Sequence, residues 1–187
     1  MNDPGLSQRS SNTPVIREAT VEDALPIARV WVDTWRSVYA GIMPAEYLAG
    51  LAYDERAQRI REILETNADF GRFFLVAERR GEIVGFAFGG PERTGDEVYK
   101  GEIYAIYILP AYQRQGLGRK LIGASVRRLR QAGVETLLIW VLSANPYRRF
   151  YEVLGGQRVR EREVEIGGVS LPAVGYGWSD LQTLVDL

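Results

Sequence analysis

Two rhythms of apolar and polar positions run along the chain, one of two residues and one of three to four, and their order sets the predicted elements. Residues 1–13 are polar and rich in Gly, Ser and Asn, and read as a disordered leader. Val15-Ile16-Arg17 predicts a short strand. Thr20, with Asp23 three positions on, caps a helix whose apolar positions Ala24, Ile27, Val30 and Trp31 recur at helical spacing. Pro26 fits only in its first turn. Gly41 and Pro44 interrupt the pattern, and a second helical region spans about residues 44–65. Residues 72–80 and 82–90 are β-rich and joined through Gly81, a predicted hairpin. After a polar loop, residues 102–109 predict a central strand that ends at Pro110. From 118 to 132 the rhythm turns helical, with Leu121, Ile122, Val126 and Leu129 on one face and Gly133 as C-cap. Residues 136–142 form a nearly continuous apolar run, the mark of a strand buried on both faces. A short helix over 146–154 stops at Gly155-Gly156, and a second hairpin, 157–166 with 170–178, turns at Gly167-Gly168. The order β-α-α-β-β-β-α-β-α-β-β, with no internal repeat or linker, predicts one α/β domain with a mixed sheet.

Composition narrows the chemistry. The 187 residues are 46% hydrophobic and 25% charged, an ordinary globular balance, and include no cysteine and no histidine. A disulfide framework, a thiolate nucleophile, a Cys/His zinc site and a Ser-His-Asp triad are therefore excluded, and no metal is expected. Proton transfer at neutral pH must use a tuned carboxylate, tyrosine, lysine, water or the substrate. With 23 basic and 24 acidic residues the net charge is −1, which gives no electrostatic case for nucleic acid. No apolar run approaches the roughly 20 residues of a bilayer span, and the N-terminus lacks signal-peptide features, so no membrane partner and a cytoplasmic location are expected.

The stretch from Tyr107 to Leu121 carries the strongest chemical signal. A strand ends, a loop turns through Gly116 and Gly118, and an amphipathic helix begins at once. Glycines let the backbone approach a ligand, and clustered N–H donors with the positive end of the helix dipole make an anion site. Each charge-assisted hydrogen bond contributes about 1.5–3 kcal/mol, so three or four would hold a pyrophosphate. Arg114, Arg119 and Lys120 add positive charge. No Lys-Ser/Thr follows the second glycine and no third glycine is present, which excludes a Walker A loop and a Rossmann fingerprint. A tight turn that binds nothing would also satisfy two glycines alone.

Gln113-Arg-Gln-Gly116-Leu-Gly118 resembles the Gln/Arg-x-x-Gly-x-Gly/Ala signature of the GCN5-related N-acetyltransferase (GNAT) family. A second family segment follows at the expected distance, from Asn145 through Phe150-Tyr151 to Gly155. The aromatic expected after Gly155 is replaced by Gly156, which should loosen local packing. The starts at Ile16 and at Trp35-Arg-x-x-Tyr39 also look like the family's acceptor-side segments. The resemblance implies one GNAT domain over residues 14–182, a mixed and mostly antiparallel sheet with a splayed parallel strand pair, flanked by helices. It implies acetyl-CoA as co-substrate and a small-molecule or peptide amine as acceptor.

Roles follow residue by residue from that resemblance. The backbone of Ile106, Tyr107 and Ile108 would pair with the pantetheine arm, and Gln113, Arg114, Gln115, Gly116, Leu117 and Gly118 would hold the pyrophosphate, with Arg119 and Lys120 beside it. Asn145 would contact the pantetheine, although an N-cap role is equally served by asparagine. Tyr151 is the expected acid for the departing thiolate, and Glu102 the expected base, directly or through water. Trp35, Tyr39 and Tyr104 are candidates for the acceptor pocket. Arg127, Arg128 and Arg130 read as a solvated helix face, and Trp140 and Trp178 as core. Without cysteine there is no thioester intermediate on the enzyme, so direct transfer in a ternary complex is expected. A catalytically silent acyl-CoA-binding module, or a transferase using another acyl-CoA, would keep the same motifs. The terminal strands offer an edge for a homodimer.

Overall fold

The computed structural model describes residues 13–66 and 71–187. The expected leader at 1–13 therefore lies outside the described residues except for Thr13. Seven strands form one sheet: β1 (Val15–Glu18), β2 (Phe73–Arg79), β3 (Glu82–Pro91), β4 (Gly101–Ile108), β5 (Leu137–Leu142), β6 (Gln157–Ile166) and β7 (Val169–Trp178). Their spatial order is β1-β2-β3-β4-β5-β7-β6, and every neighbouring pair is antiparallel except β4–β5. The β2–β3 hairpin turns through Arg80 and Gly81, both at positive φ, which matches the right-handed twist of the strands it joins.

Helices cover both faces. On one, α4 (Leu117–Gln131) buries Leu121, Ile122, Val126 and Leu129 against the sheet, the stripe expected from its period. Each fully buried side chain of this size contributes about 1.5–3 kcal/mol. Leu181 and Leu184, in a 3-10 turn near the C-terminus, join the same core. On the other face lie α1 (Ala24–Val38) and α3 (Tyr53–Thr66), which pack Ile27, Val30 and Ile60 against Phe74 and Phe86. The single helical region expected over 44–65 is two helices, because Gly50–Ala52 breaks it after α2 (Ala45–Ala49). The short α5 (Arg149–Val153) follows β5.

One packing expectation is overturned. Gly156 does not loosen its surroundings: the Trp178 ring occupies the space, with Cζ2 only 2.5 Å from where a Gly156 side chain would begin. Trp178 is buried and its indole N–H donates to the Leu154 carbonyl at 3.0 Å. An aromatic from β7 thus fills the position that the sequence after Gly155 leaves empty.

Candidate active site

The site begins with a strand pair that stops pairing. β4 and β5 are in register only at Gly101–Leu137, Glu102–Leu138 and Ile103–Ile139, yet β4 continues to Ile108 and β5 to Leu142. Just beyond the last pair, Ile103 faces Gly89 and Ala105 faces Phe88, so Tyr104 is an extra residue in β4. A bulge of this kind bends its strand and ends regular pairing. The edge of residues 104–108 that would face β5 has no strand partner, and polar backbone groups inside a protein need one. A cavity of about 720 Å³ fills the gap.

At one end of the cavity the chain turns into α4. Arg114 at φ 58° and Gly116 at φ 82° bracket the turn, and Gly116 is the N-cap. No protein atom lies within 4 Å of where a Gly116 side chain would begin, so the ground above the helix start is open. The first turn of α4 carries no acidic side chain, and its leading N–H groups have no intrahelical acceptor. Gln113 fixes the loop from inside by donating its side-chain amide to the Ile108 carbonyl at 2.9 Å. Gln115 is tied down on both sides, accepting from Arg79 and donating to the Ala111 carbonyl, each at 2.9 Å. Gly118 packs on Phe150, whose ring carbon is 3.0 Å from its virtual Cβ.

Of the residues singled out by sequence, Ile106, Tyr107, Ile108, Gln113, Arg114, Gly116, Gly118, Arg119, Asn145 and Tyr151 meet around this cavity, with Trp35, Tyr39 and Tyr104. Gln115, Leu117, Lys120 and Glu102 are not on its wall. The Leu117 side chain is in the core, which leaves only its backbone for a ligand. Tyr151 is buried, stacked on Tyr176 with ring centroids 5.6 Å apart. Burial, and then the neighbouring Tyr39 and Tyr176, push its phenol up, so it is a protonated donor at neutral pH. Asn145 donates from its amide to the Tyr39 hydroxyl at 3.0 Å and accepts from the Tyr147 N–H at 2.8 Å. Both ends of that side chain are therefore engaged within the protein.

Glu102 sits beneath the far end of the cavity, only 1% exposed. Arg93 grips both of its oxygens, Nη2 on Oε1 at 2.5 Å and Nε on Oε2 at 3.0 Å. The same guanidinium lies 4.0 Å above the Tyr104 ring, whose hydroxyl donates to the Pro91 carbonyl. Burial and the Glu102 charge push Tyr104 up to about 12. Arg93 and Arg162, which sequence reasoning did not single out, both line the cavity. Trp140, expected in the core, lines it too, under the Arg162 guanidinium at 4.1 Å. A signal for Arg162 was present in β6, where Arg162, Val164 and Ile166 alternate with Glu161, Glu163 and Glu165.

A splayed parallel pair beside a glycine turn and an open helix start is the arrangement that the resemblance to the GNAT acyltransferases implied. The family comparison agrees: the Acetyltransferase (GNAT) family matches residues 32–155. The chain belongs to that family and is an N-acetyltransferase. It is 40% identical over 172 residues to the uncharacterized N-acetyltransferase YuaI of Bacillus subtilis, covering 92% of this chain and 96% of that protein. Among solved structures, yncA from Salmonella typhimurium, determined with its cofactor acetyl-CoA, superposes with TM-score 0.68 at 24% identity over 91% of this chain and 95% of that one. The PaiA N-acetyltransferase of Thermoplasma acidophilum, in complex with coenzyme A, gives 0.66 at 19% identity over 87% and 98%. These two likenesses concern the fold. Among the described residues no helix is long and apolar enough to cross a membrane.

Proposed function

We propose that the protein transfers an acetyl group from acetyl-CoA to a primary amine by direct attack in a ternary complex. The observation that carries this reading is the loss of β4–β5 pairing after Ile103–Ile139, which leaves a strand edge for an extended ligand arm between Ile106–Ile108 and Val141. The glycine turn fits the anionic end of such a ligand, since the open space at Gly116 and the free N–H groups of α4 suit a pyrophosphate. Acetyl-CoA would supply the activated acyl thioester. Arg114 and Arg119 neutralise phosphate charge at the same end of the cavity. Tyr151 holds a proton at its hydroxyl, which has no hydrogen-bond partner among the described residues and is free to donate to the sulfur as it leaves.

Glu102 is better suited to anchoring Arg93 than to direct proton abstraction. Both of its oxygens already accept from the Arg93 guanidinium, and it is not on the cavity wall, so it is not placed to reach an amine directly. The acceptor amine then enters neutral from the fraction present in solution, helped by the aromatic lining of Trp35, Tyr39 and Tyr104. Thiol release measured with acetyl-CoA and with succinyl-CoA, each with and without primary amines, tests the function. Amine-dependent release with acetyl-CoA is expected. Tight acetyl-CoA binding without release on any amine would leave a silent binding module, and faster release with succinyl-CoA would reassign the donor.

A further inference from the structure

We infer that the acceptor carries a carboxylate as well as its amine, and that Arg162, aided by Arg93, binds that carboxylate at the end of the cavity remote from α4. The inference rests on the transfer reading above and specifies its acceptor. Along β6 the odd-numbered Glu161, Glu163 and Glu165 are exposed, while Arg162 is turned inward in phase with Val164 and Ile166. Arg160, two residues earlier and exposed, is neutralised by Asp96 at 2.9 Å. Among the described residues Arg162 makes no ion pair, and its Nε is buried without an acceptor. The indole N–H of Trp140, the ring beneath it, is likewise buried without an acceptor. Burial holds the Arg162 guanidinium below its ordinary value, and the Arg93 charge acts in the same direction.

Two carboxylates act on Arg162 through space, Glu102 and Glu92. Both are committed elsewhere: Glu102 to Arg93, and Glu92 to the hydroxyl and N–H of Thr94 and the N–H of Asp96. A partly desolvated cation without a direct counterion is unfavourable, and a bound anion offsets that cost. The Arg162 guanidinium, laid on the Trp140 ring, presents a planar fork that matches a carboxylate, while the Nε–Nη2 edge of Arg93 is taken by Glu102 and leaves only its Nη1 to aid. Tyr104, under Arg93, precedes Ile106–Ile108 by two to four residues, roughly 7–13 Å along a strand. An acceptor spanning that interval has its carboxylate several bonds from the reacting amine, as in an ω-amino acid or a short peptide.

The test uses primary amines of two to six carbons whose distal end is a carboxylate, a carboxamide or a methyl group. With wild-type protein, kcat/KM for the acid should exceed that of the matched amide by about ten- to hundredfold at the best length. In Arg162→Gln the acid-to-amide ratio should fall near one, and Arg162→Lys should restore part of it. Because the ratio is measured within one protein, a general loss of folded enzyme does not imitate the effect. Equal rates for acid and amide in the wild type, or a ratio that survives Arg162→Gln, would overturn the inference. If no amine is acetylated, 6-aminohexanoate titrated into the CoA-loaded protein decides separately. Binding lost in Arg162→Gln would keep the carboxylate site while the transfer reading falls, and absence of binding would remove the site.

Discussion

The amide nitrogen of Asn145 donates to the Tyr39 hydroxyl at 3.0 Å, joining positions 106 residues apart. Tyr39 closes α1, and Asn145 leads into the turn before α5, which carries Tyr151. The bond therefore ties the aromatic wall of the cavity to the segment that positions the proposed acid. Tyr39→Phe removes it while keeping the ring, and should cost about 0.5–1.5 kcal/mol of unfolding free energy, read by denaturant titration. The same variant should raise the acceptor KM more than it lowers kcat.

Gly116→Glu places bulk and negative charge in the open space above the start of α4, at a φ of 82° that disfavours any side chain. Acetyl-CoA binding by calorimetry should be lost, with the circular dichroism of the fold retained. Unchanged affinity would remove the glycine turn as the pyrophosphate site.

Glu102→Gln separates an anchor from a base. With Glu102 holding Arg93, the variant should raise the acceptor KM and leave the shape of the pH–rate profile unchanged. A collapse of kcat with loss of an acid limb would instead identify Glu102 as the base.

Gly156→Ala drives a methyl group to within 2.5–2.7 Å of the Trp178 ring and 2.9 Å of the Tyr151 carbonyl. Overpacking of this kind should cost about 1–3 kcal/mol in thermal or denaturant unfolding and disturb the helix that carries Tyr151. A stability equal to wild type would show that the ring moves freely aside.

The elements and the glycine turn at one end of the cavity were legible because each is encoded locally. The α4 stripe, the apolar β5 run and the Gly116–Gly118 spacing sit in contiguous sequence. The opposite end was not, because it is assembled from β4, the loop carrying Arg93, and β6, which meet only after folding. The Glu102–Arg93 pair spans nine positions and has no periodic signature. The break after Gly50 was blurred because Leu48, Leu51 and Ala52 keep the local hydrophobicity high across it. Trp178 filling the space at Gly156 depends on strand pairing between distant segments and could not be read from either one.

Single-turnover acetyl transfer by Tyr151→Phe against wild type, followed from pH 6 to 10, is the most direct test of the proposed chemistry. Burial keeps the Tyr151 proton in place, so the wild-type rate should rise with pH as the amine deprotonates, with no falling limb below pH 10, the ordinary tyrosine value. The variant should lose roughly 10–100-fold in kcat with acetyl-CoA affinity and stability nearly unchanged. A variant that transfers acetyl at the wild-type rate would contradict the assignment of Tyr151 as the acid.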